Sequence, residues 1–144
     1  MVDLPDAGFK VINRVHRLAF EASRGRIAAT LGGMPVVKLT TVGRQTGQAR
    51  DTMLTAPVHS EDRVVLVASK GGAPRHPSWY VNLLAQPAVT VTMSGRTRRM
   101  VARTATPTEK AELWPAIVAA YSGYAAYQER TGRDIPVVLL TPAP

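Results

Sequence analysis

Cysteine is absent from this 144-residue chain. That excludes disulfides, thiolate nucleophiles, Cys-ligated zinc and iron–sulfur clusters, and it is compatible with a cytoplasmic setting. Long apolar runs are missing too. None approaches the roughly 20 residues needed to cross a bilayer, and no apolar segment follows a basic start, so neither a transmembrane helix nor a signal peptide is expected. The three histidines, His16, His59 and His76, show no metal-ligand spacing. Acids are few, and no pair of carboxylates falls where an apolar pocket would raise one pKa, so glycoside hydrolysis is unsupported. A Ser-His-Asp set drawn from Ser69, His76 and an acid lacks a nucleophile-elbow motif. Only two Phe and two Trp occur, the cations are scattered, and no RNP-like, zinc-finger or clear helix-turn-helix pattern appears, which disfavours nucleic acid as a partner.

What is present describes one soluble domain with a real core: 45% hydrophobic and 19% charged residues. The balance of 18 Lys and Arg against 10 Asp and Glu gives a net charge of +8. Such a charge suits nucleic acid, an anionic membrane surface or a polyanionic small molecule.

Residues 9–31 show a helical pattern, with Phe9, Ile12, Val15, Ala19, Ala22 and Ile27 on one side and Lys10, Arg14, Arg17, Glu21 and Arg24 on the other. Such a basic amphipathic helix either packs on the domain or lies on an anionic membrane, making peripheral contact with its inner face. Gly32-Gly33 ends it. Strands are expected over 36–42, 50–58, 64–68, 89–93, 97–104 and 135–140, with hairpins at Ser60-Glu61-Asp62 and Ser94-Gly95. A helix over 107–120 starts with Thr106 or Thr108 as cap, and Pro115 is expected to kink or split it. Residues 121–133 read as an irregular Tyr- and Gly-bearing stretch. The pattern predicts an α+β, mainly β fold: a small antiparallel barrel of about six strands with peripheral helices, preceded by a helical segment over 1–33.

Two constellations stand out. In Thr40-Thr41-Val42-Gly43-Arg44-Gln45-Thr46-Gly47-Gln48-Ala49-Arg50, glycines flank Arg44 in a turn between strands. Arg makes two-pronged bonds to carboxylate or phosphate. The alternative is a charged hairpin tip. In Ser69-Lys70-Gly71-Gly72-Ala73-Pro74-Arg75-His76-Pro77-Ser78-Trp79-Tyr80, a strand, a glycine-rich loop and a helix start follow one another, which is one way to build an anion cradle. The alternative is a solvated turn capped by a core Trp. Tyr121, Tyr124 and Tyr127 recur every third residue and with Trp79 and Tyr80 would wall a flat pocket, or else form a packing seam.

Together these residues resemble the deazaflavin-dependent (F420-dependent) nitroreductase family of the split β-barrel, FMN-binding-like superfamily. The likeness runs through Leu39-Thr40-Thr41, Gly43-Arg44, Thr46-Gly47-Gln48, Arg50, Ser69-Lys70-Gly71-Gly72, His76-Pro77, Trp79-Tyr80, Asn82-Leu83 and Pro87. It closes with Tyr121, Tyr124, Tyr127-Gln128, Thr131, Arg133 and Ile135-Pro136-Val137. The resemblance implies a split β-barrel over 34–144 that binds coenzyme F420. Arg44 and Arg50, with Gly43, Gln45 and Thr46, would hold the phosphate and oligoglutamate tail. Gln45 stands where members often carry Lys. Ala68, Ser69, Lys70 and Gly71 would line the deazaflavin and its ribityl chain, with Ser78 and Trp79 closing the far side. Ser69, Tyr121 and Tyr124 would shape the acceptor site for hydride transfer to a quinone-like or nitroaromatic small molecule. An FMN-binding reductase of the same superfamily and a non-catalytic F420-binding or storage protein are the alternatives. A monomer and a homodimer both remain open.

Overall fold

The computed structural model describes residues 30, 31 and 33–144. Eight strands form one antiparallel sheet: β1 (Thr30–Leu31), β2 (Met34–Val42), β3 (Ala49–Thr55), β4 (Val58–Ser60), β5 (Arg63–Val67), β6 (Ala88–Met93), β7 (Arg96–Thr104) and β8 (Val137–Pro142). Among the described residues, three helices are interleaved: α1 (Ser78–Ala85), α2 (Pro107–Ala120) and α3 (Gly123–Arg130). The ladder runs β2-β6-β7-β8-β5-β4, and β3 pairs with the other edge of β2. β3 and β4 are separated only by the buried Ala56 and by Pro57, which lacks the N–H a ladder needs. One bent segment thus pairs with β2 by its first part and with β5 by its second, which closes a split barrel.

Period-2 alternation builds two layers. Val37 and Leu39 of β2, Val64 and Leu66 of β5, Val89 and Val91 of β6, Met100 and Ala102 of β7, and Val138 and Leu140 of β8 face inward. Trp79, Tyr80 and Leu83 of α1 plug this interior. On the outer face, Val65, Val67, Val137 and Leu139 are covered by Ile117 of α2 and Tyr124 of α3. β5 and β8 are therefore apolar on both faces, whereas β7 exposes Arg99, Val101 and Arg103.

Several expectations change. The helix expected over 9–31 lies mostly outside the described residues, but its last two, Thr30 and Leu31, pair as a strand with Pro35 and Met34. The single strand over 50–58 is β3 and β4, and the last strand begins two residues later than expected. Pro115 does not split α2, which is continuous from Pro107 to Ala120. Pro115 and Ala111, whose carbonyl loses its partner, both lie on the solvent side, where water replaces the bond. The stretch 121–133 is not irregular: it holds α3. α2 starts on a capping box in which Thr106 accepts from the Glu109 N–H and the Glu109 side chain accepts from the Thr106 N–H. Ser94 and Gly95 both take positive φ, as a two-residue hairpin of primed type requires.

Candidate functional site

Four successive antiparallel pairings, β2–β6, β6–β7, β7–β8 and β8–β5, separate β2 from β5, so these two strands run the same way. Their C-terminal ends open on one rim. The Arg44 turn leaves β2 there, the Ser69–Lys70 loop leaves β5 there, and α1 crosses the same rim to reach β6. α1 has eight residues, about 12 Å at 1.5 Å per residue; the Arg44 turn is bonded to it through Asn82, and the second loop runs into its start at Pro77.

The Arg44 turn is closed by the Gly43 N–H on the Gln48 carbonyl and the Gly47 N–H on the Gly43 carbonyl, each 2.8 Å. A Cβ on Gly43 would stand 2.9 Å from Thr46 Oγ1 and 3.2 Å from the Gln48 carbonyl oxygen, so only glycine fits without a shift. Thr46 Oγ1 accepts from the Gln48 N–H at 3.2 Å and from Arg50 at 3.3 Å. Arg44, Gln45, Thr46 and Arg50 are exposed. The turn is held to α1 by Asn82, which is 4% exposed. Asn82 Oδ1 accepts from the Arg44 N–H at 3.2 Å and from the Arg44 guanidinium at 2.8 Å, and its amide donates to Thr41 Oγ1 at 3.3 Å.

The second loop begins at buried Ala68 and Ser69 and continues as a 3-10 turn, Lys70–Gly72. Lys70, Gly71 and Gly72 have φ of 45°, 64° and 81°, three left-handed residues in succession. For Lys70 that conformation costs about 1–2 kcal/mol. α3 packs directly on this loop: a Cβ on Gly72 would meet the Tyr127 carbonyl oxygen at 3.0 Å and its Cα at 3.1 Å. Arg130 donates to the Gly71 carbonyl at 3.2 Å, and Arg133 donates into the same loop from the other end of the α3–β8 connection. Pro77 caps α1, with Ser78 exposed at its first position.

The tyrosines sit on the outer layer. Tyr124 is buried, its hydroxyl 3.0 Å from Thr55 Oγ1, while Tyr121 is 38% exposed and its hydroxyl lies 3.3 Å from that of Tyr127. Their rings meet edge-on or tilted at 5.3–6.2 Å. Burial pushes the Tyr124 phenol above its ordinary range, and burial with the Tyr121 contact does the same to Tyr127, so both stay protonated donors at neutral pH. The single aromatic wall expected from the sequence does not form. Trp79, 6% exposed, and Tyr80 pack in the interior layer, whereas Tyr124 and Tyr127 pack outside it. Alternation on β5 and β8 keeps the two groups apart.

Three carboxylates on the neighbouring elements have partners of their own: Asp51 accepts from Thr40, Glu109 from Arg103 and Asp134 from Lys110. The donor set at the rim, cationic side chains on two tight turns, therefore fits a polyanion. Asn82 and Arg133, which organise this rim, carried no assigned role in the sequence. Both belong to the residues that carry the family resemblance, and Asn82 gave a further signal as a polar residue amid the apolar face of a helix.

The chain matches the family model for F420H(2)-dependent quinone reductase over residues 12–142. It is 38% identical over 132 residues to an F420H(2)-dependent quinone reductase of Mycobacterium tuberculosis (strain ATCC 25618 / H37Rv), covering 89% of this chain and 88% of that one. A solved F420-H2 dependent reductase, FDR-A, shares 39% identity and a TM-score of 0.67 over 74% of this chain and 93% of its own. A second structure, described as a domain-swapped dimer, shares 34% identity and a TM-score of 0.68 over 88% and 98%.

Proposed function

The chain belongs to the F420H(2)-dependent quinone reductase family, and from that premise we propose that it is an oxidoreductase binding coenzyme F420 across the rim formed by the Arg44 turn, the Ser69–Lys70 loop and α1. The observation that carries the proposal is that both cationic turns leave the C-terminal ends of two strands, β2 and β5, that run the same way, the first of them bonded to α1 through Asn82. When bound, reduced F420 supplies a hydride from C5, and a quinone that takes it up with one proton becomes the hydroquinone.

The protein's own task is then binding and orientation. Arg44 and Arg50, with Gly43, Gln45 and Thr46, hold the phosphate and glutamate tail through charge-assisted bonds. Ala68, Ser69, Lys70 and Gly71 lie along the ring and ribityl chain, with exposed Ser78 at the helix start and Trp79 backing that start from the interior. Tyr121 and Tyr124 shape the acceptor site, Tyr124 as a neutral donor. No carboxylate base is required, in keeping with the engaged acids around the rim. Nitroaromatic acceptors belong to the same reading, as electron-poor planar molecules stacked on the cofactor.

Two finer features go with it. The basic pattern of residues 9–31 suits contact with the anionic inner face of a membrane holding a lipid quinone, and among the described residues no helix is long and apolar enough to cross one. Equal liposome flotation of the full chain and of a chain lacking residues 1–33 would sink that contact. The likeness to a domain-swapped dimer favours a homodimer over a monomer, which sedimentation decides.

The test of the function is anaerobic mixing of the protein with reduced F420 and menadione. Catalytic return of the oxidised-F420 absorbance is expected. Tight binding without that return would instead make the chain a storage protein.

A further inference from the structure

Resting on that reading, we infer that Arg133 is the positioning residue that sets the shape of the Ser69–Lys70–Gly71 loop presented to the cofactor. Its guanidinium fans out beneath the loop. Nε donates to the Ala73 carbonyl at 2.9 Å, and one terminal nitrogen donates to the carbonyls of Ser69 at 2.9 Å and Ala68 at 3.2 Å. The other terminal nitrogen donates to His76 Nδ1 at 2.9 Å. Four of the five donors of the fork are used, all on one loop.

Because arginine only donates, His76 accepts at Nδ1 and carries its proton on Nε2. Burial and then the Arg133 charge hold its pKa below the ordinary value, so the ring stays neutral. Its ring also packs edge-on against Tyr80, with centroids 5.0 Å apart, tying the loop to α1. The peptide unit is planar and trans, so turning the Ala68 and Ser69 carbonyls toward Arg133 turns the N–H groups of Ser69 and Lys70 to the opposite side. The guanidinium thereby decides which backbone face the loop shows.

Arg133 is itself anchored. Its carbonyl accepts from Gln128 Nε2 at 2.8 Å, and Gln128 Oε1 accepts from the Ile135 N–H at 3.0 Å and from Lys110 Nζ at 2.8 Å. Lys110 also donates to the Ile135 carbonyl at 2.8 Å. The loop is thus referenced to α2 and α3, which cover the barrel. Three successive left-handed residues, one of them Lys70, persist only when their surroundings over-determine them, and this fan does so. A lysine carries a point charge on a flexible stem and cannot span the same acceptors.

The test uses the full chain with Arg133→Lys. Amide exchange over residues 68–76 is expected to rise while that of β6 and β7 stays unchanged. The KM for F420H2 should rise about tenfold or more, the cost of a misplaced binding loop, and by more than the KM for menadione. Free guanidinium added to Arg133→Gly should restore cofactor KM. Gln128→Ala, which frees the Arg133 backbone and keeps the fork, should move both readouts the same way by less. Unchanged loop exchange, an unchanged KM for F420H2, or parallel rises in both KM values overturn the inference. Failure of the wild-type chain to bind F420 refutes the proposed function alone, since the exchange arm reads the loop without cofactor.

Discussion

Asn82 offers the sharpest separation of architecture from chemistry, because one amide fastens the Arg44 turn to α1. Asn82→Ala deletes two neutral hydrogen bonds, from the Arg44 N–H and to Thr41 Oγ1, and one from the Arg44 guanidinium. Neutral bonds contribute about 0.5–1.5 kcal/mol each and a charged one about 1.5–3 kcal/mol, for a gross loss of about 2.5–6 kcal/mol. Arg44 is exposed, so water recovers part of this and about 2–3 kcal/mol is the expected net cost. With an m-value of about 2 kcal/mol/M, the urea midpoint should fall by about 1–1.5 M. Asn82→Asp keeps the acceptor for Arg44 and loses only the donor to Thr41, so it should cost less. Fluorescence titration with F420 should show about tenfold weaker binding for the alanine variant, equivalent to about 1.4 kcal/mol, and near-normal binding for the aspartate variant. If Asn82→Ala lowers the midpoint as expected but leaves F420 affinity unchanged, Arg44 does not serve the cofactor and the reasoning fails.

Gly72→Ala places a Cβ about 3 Å from Tyr127 backbone atoms at a left-handed φ, whereas Gly71→Ala meets only open space at a similar φ. The second should cost about 1–2 kcal/mol and the first distinctly more, and equal urea midpoints would contradict the close docking of α3. Tyr124→Phe removes the bond to Thr55 and should cost about 1 kcal/mol while changing quinone turnover and sparing F420 affinity. An equal loss in both would move Tyr124 into the cofactor site. The Arg103 guanidinium and the Thr106 N–H hold the Glu109 carboxyl down at about 2, against an ordinary 4.5. Its stabilising contribution is therefore complete above the ordinary value and lost as pH falls toward the lowered one. Glu109→Gln should flatten that part of the acid dependence of Tm, and an unchanged slope would argue against the capping box.

The barrel was largely legible because β5 and β8 are unbroken β-branched and leucine runs and because Ser94-Gly95 marks a tight hairpin. The break at Ala56-Pro57 was missed since apolar residues continue through it, and only the pairing partners change there. α3 was hidden by Gly123 and by a polar face whose role is to bond other segments. Of the candidate site, the two glycine-flanked turns announced themselves through residue type. Their shared rim did not, because it depends on an even number of antiparallel steps between β2 and β5. The contribution of Arg133 was equally invisible: its partners are carbonyls some sixty residues away, and carbonyls leave no mark in a sequence. The separation of Trp79 from the tyrosines followed from which face of the sheet each helix covers.

A side-by-side titration of the wild-type chain and Arg44→Ala/Lys70→Ala with F420 and with FMN bears most directly on the claim that the shared rim grips a deazaflavin by its anionic tail. The expected result is saturable binding of F420 by the wild type, much weaker binding by the double variant, and little response of either to FMN. Equal affinity for FMN, or F420 binding that survives loss of both cations, would contradict it.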